Sequence, residues 1–179
     1  KRAIEDHFDS NQELETALRL KGKNDKADMV RNILPPGVEC IFVRQAEQLG
    51  LGNAVLCAER AVGNEPFMVI LADDFLVSEK QEMTRKLIHS FNYTQKMQIA
   101  VMEIDGPEIS NYGVVIKGKE EGSVKGLIEK PKYEDAPSNL ASIGRYLLTP
   151  EIFETIRKIS TGAGGEIQLA DALHIQAIR

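Results

Sequence analysis

Phe67-Met68-Val69-Ile70-Leu71-Ala72 is an unbroken apolar run that ends directly on Asp73-Asp74. It is too short for a buried helix, and it lacks the apolar–polar alternation of a strand with one wet face. The pattern is that of a strand covered on both faces. A chain usually achieves such cover with helices that cross from one parallel strand to the next. The run therefore predicts an α/β fold with a Rossmann-like, mixed but mainly parallel sheet flanked by helices. Its carboxyl end, where Asp73 and Asp74 stand, is where open α/β sheets place ligand-handling residues.

The first 106 residues support an alternation of helix and strand. Ser10-Asn11-Gln12-Glu13 has the form of a capping box before a helix with Leu14, Ala17 and Leu18 on one face. Residues 28–34 continue helical until Pro35-Pro36-Gly37, and residues 39–43 predict a buried strand. Gly50-Leu51-Gly52 opens a helix over residues 53–62 that Gly63-Asn64 closes. A helix over residues 81–93, with Leu87, Ile88 and Phe91 inward, precedes a strand over 98–104. The pattern changes after Pro107. Residues 112–116 and 124–129 predict an antiparallel hairpin or a pair of sheet-edge strands. A strand over 143–148, a helix from Pro150 with Thr149 as its cap, a flexible loop over 161–165 and a last helix beginning near Glu166 follow.

The length of 179 residues fits one domain. A net charge of -5 with both signs dispersed argues against a nucleic-acid or membrane-surface binder. No apolar run approaches the ~18 residues of a membrane span, and the opening residues hold no signal-peptide apolar stretch. They also lack an initiator methionine, so the chain is expected to be cut from a longer one. Cys40 and Cys57 lie in apolar runs without metal-ligand spacing, which predicts buried free thiols in a reducing, cytoplasmic setting.

Several positions carry chemistry. Glu129-Lys130, stopped by Pro131, puts a carboxylate beside an ammonium at a strand end; the pair could hold a phosphorylated polyol, or be an ordinary surface doublet. Asp73 and Asp74 suit a hard divalent cation, and equally a turn after a strand. Gly50-Leu51-Gly52 allows close approach of a flat base or a phosphate, or is a plain strand-to-helix turn. The Gln45 amide suits the edge of a uracil or thymine ring, or simply faces water. Tyr112-Gly113 could let a sugar lie against bare backbone, or merely start a strand. Glu166 after Gly164-Gly165 is favourable at a helix start without any ligand. His7, His89 and His174 stand in no motif, and no serine or cysteine lies in a nucleophile-elbow pattern.

The ordered set is more specific than its parts. Val43-Arg44-Gln45, Gly50-Leu51-Gly52-Asn53-Ala54, Leu71-Ala72-Asp73-Asp74 and Tyr112-Gly113-Val114-Val115 come first. Ile128-Glu129-Lys130-Pro131, Ala136-Pro137-Ser138-Asn139-Leu140-Ala141, Gly144-Arg145-Tyr146 and Gly162-Ala163-Gly164-Gly165-Glu166-Ile167-Gln168-Leu169 complete it. Across essentially the whole chain the set resembles the bacterial UTP–glucose-1-phosphate uridylyltransferases, or UDP-glucose pyrophosphorylases, of the sugar nucleotidyltransferase superfamily. The resemblance implies uridylyl transfer from UTP to glucose 1-phosphate, giving UDP-glucose and pyrophosphate, with Mg²⁺. It implies that Gln45 and Gly50 face the uracil and that Asp73 binds Mg²⁺, with Asp74 a secondary candidate. Gly113 and Glu129 would hold the glucose ring, and Lys130 the sugar phosphate. Asp73 and Lys130 are thus the expected catalytic residues. Residues 1–106 would form a nucleotide-binding part and 107–179 a sugar-binding part of one domain in a homo-oligomeric enzyme.

Members of that family open with a strand and a Gly-x-Gly-Thr-Arg loop that grips the triphosphate, and they continue into a C-terminal part with a second metal-binding aspartate. Neither is found here. The chain is therefore expected to be an internal fragment, inactive alone, whose sheet edges are covered within a larger assembly or by strand exchange with a second copy. The alternatives are a non-catalytic UDP-sugar-binding module and a related thymidylyltransferase. Gln45 does not separate these last two nucleotides, because uracil and thymine offer the same hydrogen-bonding edge.

Overall fold

The computed structural model describes residues 2–77 and 82–178. The chain divides into two compact units, Lys1–Arg44 and Gln45–Arg179.

The first unit is helical: α1 (Arg2–Phe8), α2 (Gln12–Leu20) and α3 (Asn24–Arg31). The capping residue of α2 is Asn11, not Ser10; its Oδ1 accepts from the Leu14 amide at 3.0 Å. Arg19 ties α2 to α3, pairing with Glu15 at 2.9 Å and Asp28 at 2.7 Å. Among the described residues of these three helices only Ala27 is buried, and the expected apolar face of α2 stays open, with Leu14 45% exposed. The buried strand expected over residues 39–43 does not form. Those residues are irregular, Ile41 is 69% exposed and the Cys40 thiol is exposed rather than buried. Apolar content is only half of what a strand needs. The other half is a neighbour for its backbone N–H and C=O groups, and no described strand pairs with this segment.

The second unit is built on a five-stranded sheet of β1 (Phe67–Ile70), β2 (Gln98–Glu103), β3 (Gly113–Lys117), β4 (Val124–Glu129) and β5 (Leu140–Leu148). Its helices are α4 (Leu51–Cys57), α5 (Glu59–Val62), α6 (Met83–Thr94), α7 (Glu151–Lys158) and α8 (Leu169–Ile178). The helix expected over 53–62 is divided at Ala58 into α4 and α5 and closes at Gly63, φ +68°. The expected start of α6 at Gln81 lies outside the described residues. The last helix starts at Leu169 rather than near Glu166, because Ala163–Gly165 forms a 3-10 turn first.

The α/β class is as expected, but the sheet is not mainly parallel: every pairing among the described strands is antiparallel. β5 is the reason. Tyr146 and Leu147 each pair with β1 on one edge (Val69, Met68) and with β2 on the other (Ile99, Gln98). β1 and β2 therefore run in the same direction, as an α/β unit requires, yet a strand from much later in the chain lies between them. β3 joins the edge of β5 opposite β2 through Val114 and Ala141, and β3 and β4 form the expected antiparallel pair.

Both faces of the sheet are covered. On one face Val115, Leu127 and Leu148 pack with Ile152, Phe153 and Ile156 of α7 and with Leu169 and Leu173 of α8. On the other, Ala100 and Ile143 pack with Leu87 of α6. β1 serves both: Phe67 and Val69 join the first cluster and Met68 the second, while Phe67 stacks on Phe153 with centroids 5.1 Å apart. The cover ends at Ile70, which is 54% exposed. Full burial of such side chains contributes about 1.5–3 kcal/mol each. The α7–α8 cluster is thus the energetic centre of the unit, and it underlies the strand ends where the candidate residues gather. β1 and β2, from the expected nucleotide-binding part, share this one sheet with β3, β4 and β5.

Candidate active site

Three small assemblies bring the sequence-predicted residues together. The first is the loop before α4. Gln45 is half-buried, and its amide nitrogen donates to the Gly50 carbonyl at 3.1 Å and to Asn53 Oδ1 at 2.9 Å. Both amide hydrogens therefore serve the loop itself. The carbonyl oxygen is the atom suited to accept from a ring N–H. Gly50 has φ +94°, a region that glycine alone enters without strain. A Cβ there would lie 2.8 Å from Glu166 Cβ and 2.9 Å from the Ile167 carbonyl oxygen. The loop is clasped to the segment before α8: the Gly52 amide donates to Ile167 O at 2.8 Å, and the Ile167 amide donates to Leu49 O at 2.7 Å. The two glycines are thus needed first for this clasp between chain segments.

The second assembly is the strand pair β3–β4. Gly113 and Glu129 are cross-strand partners, and a Cβ on Gly113 would sit 3.2 Å from Glu129 Oε2. The glycine gives the carboxylate room to lie over bare backbone. Burial holds the Glu129 carboxyl above the usual glutamate range; Lys130 opposes that rise, and Asp171 and Glu166 add to it. Lys130 is exposed, with φ +44°, and its amide donates to Tyr112 O at 3.1 Å. Left-handed backbone at Lys130 departs from strand geometry, so the chain turns directly after Glu129. Beside this pair a cavity of about 300 Å³ is lined by Leu127, Ile128, Glu129, Gln168, Asp171 and His174.

The third assembly is the turn after β1. Asp73 is exposed there and Asp74 half-buried. Asp74 packs over Gly144, φ +57°, where a Cβ would run into its carboxylate. Tyr146 links the second and third assemblies. Its hydroxyl accepts from Ser142 at 2.8 Å, and burial, opposed by that hydrogen bond, raises the phenol with help from Glu129 and Asp74. Glu166 links the first and second, lying against Gly50 while acting on Glu129.

Among the described residues no three His, Cys, Asp or Glu side chains form a metal cage. Mg²⁺ needs none: it typically takes one or two carboxylates, keeps waters and is completed by substrate phosphates. Exposed Asp73, with Asp74 adjoining, fits that donor set.

Sequence patterns did not point to Ser142 or Asp171, which sit inside a strand or helix as ordinary polar residues, and Tyr146 stood only within the Gly144-Arg145-Tyr146 segment of the resemblance, without a role of its own. A glycine within an otherwise apolar strand was the available signal for Gly144.

The family model for nucleotidyl transferases matches residues 3–177. A UTP–glucose-1-phosphate uridylyltransferase of Streptococcus pneumoniae serotype 4 is 49% identical over 180 residues, covering 97% of this chain and 60% of the relative. One from Streptococcus pyogenes is 46% identical over 183 residues, covering 97% and 59%. A solved UDP-glucose pyrophosphorylase complexed with UDP-glucose superposes with a TM-score of 0.83 at 42% identity, covering 100% of this chain and 66% of that one. The chain thus spans about 60% of the length of the curated relatives it matches.

Proposed function

The chain belongs to the nucleotidyl transferase family, and from that premise we propose that this protein transfers a uridylyl group from UTP to glucose 1-phosphate. The observation that carries the proposal is the Gly113–Glu129–Lys130 arrangement: a carboxylate over bare backbone, followed directly by a lysine at which the chain leaves the strand with positive φ. A hexose phosphate needs those two functions. The carboxylate accepts from a diol, and the ammonium neutralises the phosphate.

In the reaction a phosphate oxygen of glucose 1-phosphate attacks the α-phosphorus of UTP. The new O–P bond forms as the bond to the β-phosphate bridging oxygen breaks, and pyrophosphate leaves with that electron pair. The attacking oxygen is already anionic, so no general base is required. Positioning and charge stabilisation carry the catalysis. Glu129 orients the ring, Lys130 holds the attacking phosphate, and Gly50 with Gln45 receives the uracil. Asp73, with Asp74, would hold Mg²⁺, which supplies charge neutralisation on the phosphates when bound. Self-association and action in the cytoplasm belong to the same proposal.

Calorimetric titration of the full-length protein with UDP-glucose and Mg²⁺, beside Lys130→Ala, tests it. Loss of one charge-assisted contact of about 1.5–3 kcal/mol weakens binding by about 10–150-fold. Absence of binding by the unsubstituted protein refutes the proposal, and equal binding by Lys130→Ala removes that residue from the phosphate.

A further inference from the structure

The turn that carries Asp73 and Asp74 is held by a side chain from the neighbouring strand. Arg145 of β5 is half-buried, and its guanidinium is spent on backbone carbonyls rather than on a carboxylate. One terminal nitrogen donates to Leu71 O and to Gly144 O, each at 3.0 Å; the other donates to Asp74 O at 2.8 Å. The Leu71 amide donates to Gly144 O at 2.9 Å, so the ladder between β1 and β5 ends just where the guanidinium takes over. Beyond that point the chain has left its paired strand, and among the described residues the side-chain hydrogen bonds to the backbone of the turn come from Arg145. Gly144 completes the arrangement by leaving space for the Asp74 side chain.

We propose that Arg145 is a positioning residue: by gripping the carbonyls on either side of Ala72-Asp73, it presents the Asp73 carboxylate to the divalent cation. The inference rests on the function proposed above and extends it to a residue that touches neither substrate nor metal. A planar fork is suited to three carbonyls at once, whereas the ammonium of lysine is a compact donor without that fixed geometry. The two side chains are therefore not equivalent here, although both carry one positive charge.

The test compares full-length protein with Arg145→Lys, Arg145→Ala and Asp73→Asn. Mn²⁺ binding is followed by electron paramagnetic resonance, glucose 1-phosphate binding by calorimetry and folding by urea denaturation. Residues that orient a metal ligand typically change metal affinity by about 10–100-fold when replaced. The expected result is that Arg145→Lys weakens Mn²⁺ by about tenfold or more while glucose 1-phosphate affinity stays within about twofold, and that Asp73→Asn marks the full loss. Unchanged Mn²⁺ affinity in Arg145→Lys overturns the proposal. So does an equal fall in Mn²⁺ and sugar-phosphate affinity, or failure of both Arg145 variants to fold, since either makes Arg145 a general support of the sheet. UDP-glucose synthesis by the unsubstituted protein is measured separately; its absence refutes the proposed function and leaves the Mn²⁺ comparison interpretable.

Discussion

Replacing Gly52 by alanine is expected to loosen the clasp between the α4 loop and the segment before α8, although the backbone at Gly52 does not itself require glycine. A Cβ at this position would lie 2.7 Å from the Ile167 carbonyl oxygen and 3.0 Å from Ile167 Cγ2. The first contact is with backbone, so no rotamer change relieves it, and Ile167 must retreat by several tenths of an ångström. That movement stretches the two hydrogen bonds of the clasp, at 2.8 and 2.7 Å. Overpacking of this kind costs about 1–3 kcal/mol. Weakening two backbone hydrogen bonds adds about 0.5–1.5 kcal/mol each. Alanine returns up to about 1 kcal/mol through its better helix propensity in α4. With the full alanine gain subtracted, the net expectation is a loss of about 1–5 kcal/mol, read as a lower urea midpoint at unchanged slope. Nucleotide affinity should fall as well, because Gln45 and Gly50 are held by the same loop. A Gly52→Ala protein as stable as its parent, or more stable, would refute the close-packed clasp.

Other outcomes follow from the same geometry. The Glu129 carboxyl is raised chiefly by burial, so the native state keeps its proton to higher pH than the unfolded chain does. Its contribution to stability therefore falls as pH rises from the ordinary glutamate range through the raised value, and the penalty is complete above it. Glu129→Gln should flatten that part of a urea-midpoint-against-pH curve and stabilise the protein at neutral pH; parallel curves would dismiss the effect. Leu148→Ala, at a fully buried position on β5, should cost about 2–5 kcal/mol. Ile70→Ala, at the exposed end of β1, should cost much less, and similar losses would contradict the boundary of the core drawn here.

Which residues are apolar, and in what rhythm, proved legible in the sequence; which edges pair did not. The β3–β4 pair was recoverable because its strands are neighbours in the chain, and sequential strands commonly adjoin. That rule misleads for β1 and β2, where β5 intervenes between strands of like direction. It has no bearing on residues 39–43, whose apolar side chains resemble a strand but meet no described partner. Within the site, Glu129-Lys130 announced itself as a charge pair at a strand end. Neither the left-handed turn at Lys130 nor the grip of Arg145 on Leu71 and Asp74 leaves such a mark. Backbone carbonyls are common to every residue, so contacts made to them carry no sequence signature. Asp171 stayed hidden for a related reason: its proximity to Glu129 depends on how α8 lies along β4.

The place of β5 also has a consequence for synthesis. Phe67 pairs with Leu148 and Ile70 with Arg145. At a translation rate of about 5–20 residues per second, β1 therefore waits about 4–16 s for its partner to be made. During that interval β1 and β2 are nascent strands without their common neighbour, and the Asp73 turn has no guanidinium to grip it. The turn that carries Asp73 and Asp74 is thus completed only after β3, β4 and most of β5 have emerged. Chaperones that shield nascent strand edges should matter most for a ribosome stalled between residues 70 and 140.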